Sequence, residues 1–272
     1  MGTRCLSRRI LLVDSSDRDT TKYPSPGSYV LTLPVEYRNV VRVRLLTVEV
    51  PTTFYAFTAA FANVTVGACV YDLSGNSSAV VPIQIGNGNY DASTLASTLQ
   101  GLLNTAFPQA TFAMTFSAVT GKFVTTVSGS TVSKFAWVTV GYTSPSLVRW
   151  GLGFHLGLDP NAVVAGTTVT GPHVMKLASS NYLLLNIKEL NSMDNTGNTG
   201  GHNTNFSKIL LDGDAFSTIY STGDCCTVNE SILSPPLPRL NRLTIDWQFH
   251  DGLNVDFNNV DHSFTLELEL AE

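Results

Sequence analysis

Period-two alternation of apolar and polar residues dominates the chain. Leu243, Ile245, Trp247 and Phe249 alternate with Thr244, Asp246 and Gln248, so one set faces a core and the other faces water. The last segment repeats this, with Phe264, Leu266, Leu268 and Leu270 on one side and Thr265, Glu267 and Glu269 on the other. Antiparallel sheets with one solvated face read this way. Near the start, Val41, Val43 and Leu45 share a face, whereas Val48 and Val50 have the opposite parity. The phase change around Leu45 and Leu46 predicts a bulge, and Pro51 ends the strand.

One segment departs from this period. From Asp91 to Phe107 the residues Leu95, Leu99, Leu102, Leu103 and Ala106 follow helical spacing, with Asp91 as cap and Pro108 as stop, which predicts an amphipathic helix over about 91–107 packed on a sheet. Short strands with glycine turns follow around Phe112 to Phe116, Lys122 to Val127 and Phe135 to Val140. Asn191 to Asn205 is almost wholly Asn, Thr, Gly and Ser, which predicts an exposed mobile loop. The expected fold class is therefore all-β: a jelly-roll β-sandwich with one inserted helix. Periodicity does not separate a jelly roll from an immunoglobulin-like sandwich, although the missing Cys…Trp…Cys pattern weighs against the latter.

Size and composition change the picture in two ways. A chain of 272 residues buries roughly 75% of its unfolded surface, and with no linker or internal repeat one domain over 1–272 is expected. Only 14% of residues are charged, against about 25% in ordinary soluble domains, which suggests a surface covered by neighbours. The net charge is −5, and the basic residues are scattered apart from Arg4, Arg8 and Arg9. Direct nucleic-acid binding is not expected, and those arginines read as a solvated arm over about 1–9. Cys5, Cys69, Cys225 and Cys226 show no zinc spacing and are expected to be reduced. No signal peptide or membrane span is expected, so folding in the cytosol follows. Leu6 breaks the myristoylation motif, and the Asn-x-Ser/Thr sites at Asn63, Asn76, Asn205 and Asn229 carry little weight without secretion.

Catalytic, cofactor and metal sites are expected to be none. Asp14-Ser15-Ser16-Asp17-Arg18-Asp19 fails the calcium-loop pattern and reads as a turn with Asp-to-backbone and Asp-to-Arg18 bonds. Asp261-His262-Ser263 holds the letters of a hydrolase triad, but neighbours in a strand point to opposite faces. His155, His173, His202, His250 and His262 include no zinc-binding pair, and Gly86-Asn87-Gly88 and Gly151-Leu152-Gly153 lack the lysine or third glycine of phosphate loops.

Several stretches taken together resemble one family. They are Val13 to Asp19, Tyr23-Pro24, Tyr29-Val30-Leu31, and Val43-Arg44-Leu45 through Glu49-Val50-Pro51-Thr52-Thr53-Phe54-Tyr55. To these add Leu240 to Ile245 and Asp256-Phe257-Asn258-Asn259-Val260-Asp261-His262-Ser263-Phe264-Thr265-Leu266-Glu267. The pattern resembles minor capsid and penton proteins of nucleocytoplasmic large DNA viruses, and the helix after Gly88-Asn89-Tyr90 and the Leu152-Gly153-Phe154 turn fit it. The resemblance implies a non-enzymatic jelly-roll capsid subunit in the virion. It would be either a homopentamer at the fivefold vertex or a minor capsid protein contacting the major capsid protein and other minor capsid proteins. The competing reading is a carbohydrate-binding jelly roll for virion attachment, with Tyr142, Trp150 and Tyr220 as stacking aromatics.

Overall fold

The computed structural model describes residues 6–140, 151–178, 180–195, 203–222 and 230–271. In chain order the elements are β1 (Leu6–Asp14), β2 (Ser28–Pro51), β3 (Thr65–Asp72), β4 (Val81–Gln84) and α1 (Ala92–Ala106). Then come β5 (Thr111–Ser117), β6 (Lys122–Ser128), β7 (Val132–Val138), α2 (Gly151–His155), β8 (Val163–Gly166) and β9 (Thr168–Thr170). The rest is β10 (Tyr182–Ile187), β11 (Met193–Asn195), β12 (Asn203–Asn205), β13 (Ser207–Leu210), β14 (Thr218–Thr222), β15 (Glu230–Gln248) and β16 (Ser263–Ala271). The fold is all-β and jelly-roll-like, as the alternation predicts.

Packing divides the chain into two compact units, one of Met1–Phe54 with Ser180–Glu272 and one of Tyr55–Ser179, where one domain was expected. No Pro/Gly/Ser-rich linker marks either crossing, which is why the division is silent in the composition. The second unit has its own core, in which Phe57, Val66, Leu95, Leu99, Leu103, Phe112, Phe135 and Trp137 are all buried.

The first unit is built on a sheet in the order β1-β16-β2-β15-β10-β13, with β14 also on β2. β2 is 24 residues long and antiparallel to β15 over most of its length, with register shifts and a left-handed Asn39 (φ 52°) where it bends. The predicted bulge is present: Thr265 pairs with Thr47 and Leu266 with Leu45, leaving Leu46 unopposed. A second shift beside Val41 was not foreseen; it puts Val40, not Val41, on the core face with Val43 and Leu45. Leu243, Ile245, Trp247, Phe249, Phe264, Leu266 and Leu268 are all buried, as their parity requires.

In the second unit β4-β3-β7-β8 and β5-β6-β9 form two antiparallel sheets. The Asp91 carboxylate caps α1 by accepting from Thr94 N at 2.7 Å, and Leu95, Leu99 and Leu103 are fully buried, confirming the predicted helix. The same helix closes a sheet edge: Gln100 Oε1 accepts from Met114 N (2.9 Å) and Asn104 Oδ1 from Phe112 N (2.8 Å).

Three expectations need correction. The expected arm over about 1–9 is strand from Leu6 onward, because residues 6–14 find a full antiparallel partner in β16. The polar stretch from Asn191 to Asn205 is not all loop: Met193–Asn195 pairs with Asn203–Asn205, and Asn205 is buried. Its residues 196–202 lie outside the described residues. A single turn of helix, α2, stands where only turn glycines were expected.

Candidate assembly surface

The acidic motif after β1 is a structural latch. Asp14 Oδ1 accepts from Ser16 N (2.8 Å), and Asp19 Oδ1 accepts from Thr21 N (3.1 Å) and Lys22 N (3.3 Å), so two of the carboxylates make the expected turn. Arg18, however, reaches outside the motif. Its buried guanidinium pairs with Asp261 and donates to Ser15 O (2.7 Å) and Tyr23 O (3.1 Å). Ser15 Oγ donates to Asp261 Oδ1 at 2.7 Å, and Ser15 N donates to His262 O at 2.9 Å. The motif and Asp261-His262 are thus one network, buried at Ser15, Arg18 and His262 and open at Asp261, joining residues 243 or more positions apart, a pairing that spacing along the chain does not reveal.

That network excludes the triad reading. His262 Nε2 donates to Pro26 O at 2.9 Å, and the Asp261 carboxylate is spent on Ser15 and Arg18. Burial drives the His262 pKa down to about 4, against the opposing pull of the Pro26 carbonyl and Asp261. Desolvation pushes Asp261 up, but the bonds from Ser15 and Arg18 outweigh it, and its pKa lies below the ordinary carboxylate value. The imidazole is therefore neutral at neutral pH, packed 5.0 Å from Trp247 and 5.7 Å from Tyr29 between ring centroids. Tyr29 Oη, Trp247 Nε1 and His262 Nδ1 have no hydrogen-bond partner among the described residues.

The outer face of the first unit's sheet is ordered in cross-strand rows. Arg8, Glu269, Arg42 and Ile232 form one row, and Ile10, Glu267, Arg44 and Glu230 the next. Leu12, Thr265 and Thr47 continue the series, and Asp14, Ser263, Glu49 and Tyr220 close it. Arg42 bridges Glu230 (Nε to Oε2 2.8 Å) and Glu269 (3.4 Å), and Arg8 pairs with Glu267. Glu267 was expected on a wet face and is nevertheless buried, because its arginine partner covers it. The charges on this face largely neutralise one another, while Ile10 (54% exposed), Leu12 (66%) and Ile232 (70%) remain open.

The other candidates are occupied by structure. His155 is buried, with Nδ1 donating to Lys176 O and Nε2 accepting from Asn63 Nδ2. His173 pairs with Asp159 at 2.7 Å, and His250 Nδ1 with Tyr182 Oη at 2.8 Å. His202, Cys5, Cys225 and Cys226 lie outside the described residues, and Cys69 is a buried free thiol. Among the described residues no group of three His, Cys, Asp or Glu is placed to hold a metal, and no helix is long and apolar enough to cross a membrane. Asn87 Oδ1 accepts from Ala59 N at 3.0 Å, and a Cβ on Gly153 would stand 2.6 Å from Thr139 Cγ2, so both glycine motifs serve packing. The buried side chains of Asn63 and Asn205 are closed to glycosylation as folded. A groove of about 330 Å³ runs past Tyr71, Asp72 and Asn76, but Asp72 is taken up by Ser74 and Asn76, and Lys134 covers the Tyr71 ring. Tyr220 is 74% exposed; Tyr142 and Trp150, the other proposed sugar-stacking aromatics, lie outside the described residues.

Comparison with known proteins adds a fold relationship. A family of unknown function, DUF5901, matches residues 6–134, just under half of the chain. No curated protein matches. Among solved structures, the chain is similar to the crystal structure of mavirus penton protein, with a TM-score of 0.53 at 9% identity over 97% of this chain and 99% of that one. A penton-like fold is therefore shared end to end.

Proposed function

We propose that this chain is a structural subunit of the shell of a large icosahedral double-stranded DNA virus, acting as the homopentamer at the fivefold vertex. The observation that carries the reading is the likeness to a viral penton protein across nearly the whole of both chains. Three features support it. The resemblance of Val13 to Asp19 and of Asp256 to Glu267 to capsid proteins gains a physical basis, since the two stretches are joined by one hydrogen-bonded network. The residues with catalytic potential are spent on structure, which favours a non-enzymatic role. The sheet's outer face has self-neutralised charge and open aliphatic residues, a surface suited to protein neighbours.

In this reading the partners are other copies of the chain, the major capsid protein around the vertex and other minor capsid proteins, and the location is the virion. Quantitative mass spectrometry of purified particles tests it. The expected result is a copy number far below that of the major capsid protein and about five per occupied vertex, as fivefold symmetry requires. Absence of the chain from particles overturns the reading.

A further inference from the structure

Among the described residues, the main path of the first unit's sheet ends in the edge strands β1 and β13, with β14 a further edge beside β2, and β1 and β13 are complementary. Their open groups follow from the ladder phase. Ser15 N donates to His262 O, and in an antiparallel pair residues alternate between exchanging bonds with the partner and facing away. Val13, Leu11 and Arg9 therefore spend their backbone groups on β16, while Leu12, Ile10 and Arg8 aim theirs outward. The bond from Leu211 N to Asn181 O fixes β13 in the same way: Ile209 and Ser207 face β10, whereas Lys208 and Leu210, and Asp212 in phase beyond them, face outward.

Protein edges are usually blunted by proline, lysine, a bulge or a covering element. Two edges of the second unit follow that rule, with Gln100 and Asn104 of α1 bonding the backbone of β5 and Pro82 in edge strand β4. β1 has charge only toward its ends, at Arg8, Arg9 and Asp14, and none of the other devices among the described residues: it is nine residues long, without proline or lysine, pairs with β16 without a register shift, and exposes Ile10 and Leu12 beside its open groups.

We infer that β1 of one copy pairs with β13 of a second copy, extending the sheet from subunit to subunit, with Ile10 opposite Leu210 and Arg8 opposite Asp212. The six strands on the path from β1 to β13 alternate in direction at every step. A second copy in the same orientation therefore brings its β1 antiparallel to the first copy's β13, with both core faces on the same side. On that outer face the half-exposed Leu210 meets Ile10, and the basic start of β1 meets the acidic Asp212. Shifting by two residues toward Lys208 loses both matches. Shifting the other way brings Asp212 against Ile10 and relies on Asp14, whose carboxylate is already held by Ser16 N. Such a contact joins two different edges, so it is head-to-tail and closes into a ring under rotation. A β1-to-β1 contact would stop at two copies. The number of copies rests on the vertex reading; the contact itself does not.

The test uses the full chain in sedimentation velocity, together with the exposed-site variants Ile10→Lys, Leu210→Glu and the double variant. Each single change puts a charge opposite an aliphatic side chain and should move the assembly midpoint to about tenfold higher concentration through the several contacts of a ring. The double variant, with Lys facing Glu, should recover most of that loss. In parallel, Ile10→Cys/Leu210→Cys should form an intermolecular disulfide on oxidation, since residues opposite in such a pair stand about 5.5 Å apart between Cα atoms. The single-cysteine variants control for the native thiols. This second measurement decides the matter even where the isolated chain stays monomeric. Assembly indifferent to the charge changes, or no disulfide specific to the double-cysteine chain, overturns the inference and leaves the vertex reading standing. Specific disulfides closing rings of a number other than five support the contact and contradict the vertex reading.

Discussion

Trp247 has no exposed surface and meets Phe257 edge-on, with 5.8 Å between ring centroids. Trp247→Ala should destabilise the first unit by about 3–5 kcal/mol through the cavity it leaves, measured by denaturant unfolding; a loss under 1 kcal/mol contradicts the packing described. His262 gives this core an acid sensitivity. Its folded pKa of about 4 lies below the unfolded value of about 6.5, so between these limits the unfolded chain binds more protons than the folded one. Stability is then full above about pH 6.5 and falls by about 3 kcal/mol as the pH drops toward 4. The charges around it, Asp261, Asp14 and Arg18, shift the window without reversing its sign. Asp261, with its lowered pKa, adds a further loss in the same direction at lower pH. His262→Gln, which keeps a donor without a titration, should flatten the decline between pH 6.5 and 4; an unchanged slope would assign the acid sensitivity elsewhere.

At the scale of elements, the Asp91 cap contributes to α1 through its bond to Thr94 N. Asp91→Ala should lower the thermal midpoint of the second unit, and no change would deny the cap its role. Arg18 and Asp261 hold the motif after β1 together, so chelation with EDTA is expected to leave the melting temperature unchanged, and a clear fall would point to Asp14, Asp17 and Asp19 as ligands. Much of this level is legible in the sequence. The parity of Leu243 to Phe249 gives the core face, and the jump between Leu45 and Val48 gives the bulge at Leu46. The cap, stripe and stop give α1. Where local pattern misleads, a long-range partner decides. Val41 yields the core to Val40 because of a register shift against β16, Glu267 is buried under Arg8, and Arg18 prefers Asp261 to the aspartates beside it. Such pairings depend on which strands become neighbours, and one chain's periodicity carries no record of that.

At the scale of the molecule, the two compact units are the largest feature that composition leaves unmarked. Because the core of the second unit draws, among the described residues, on those from Ala56 to Leu177, a fragment covering residues 55–179 should unfold cooperatively on its own. A fragment without a cooperative transition would make that core dependent on the first unit. If this chain forms the vertex of a virus shell, a density map of the fivefold vertex of purified virions should show, at each occupied vertex, density that fits about five copies of it. A vertex filled by a different chain, with this one elsewhere or missing, would contradict the vertex reading.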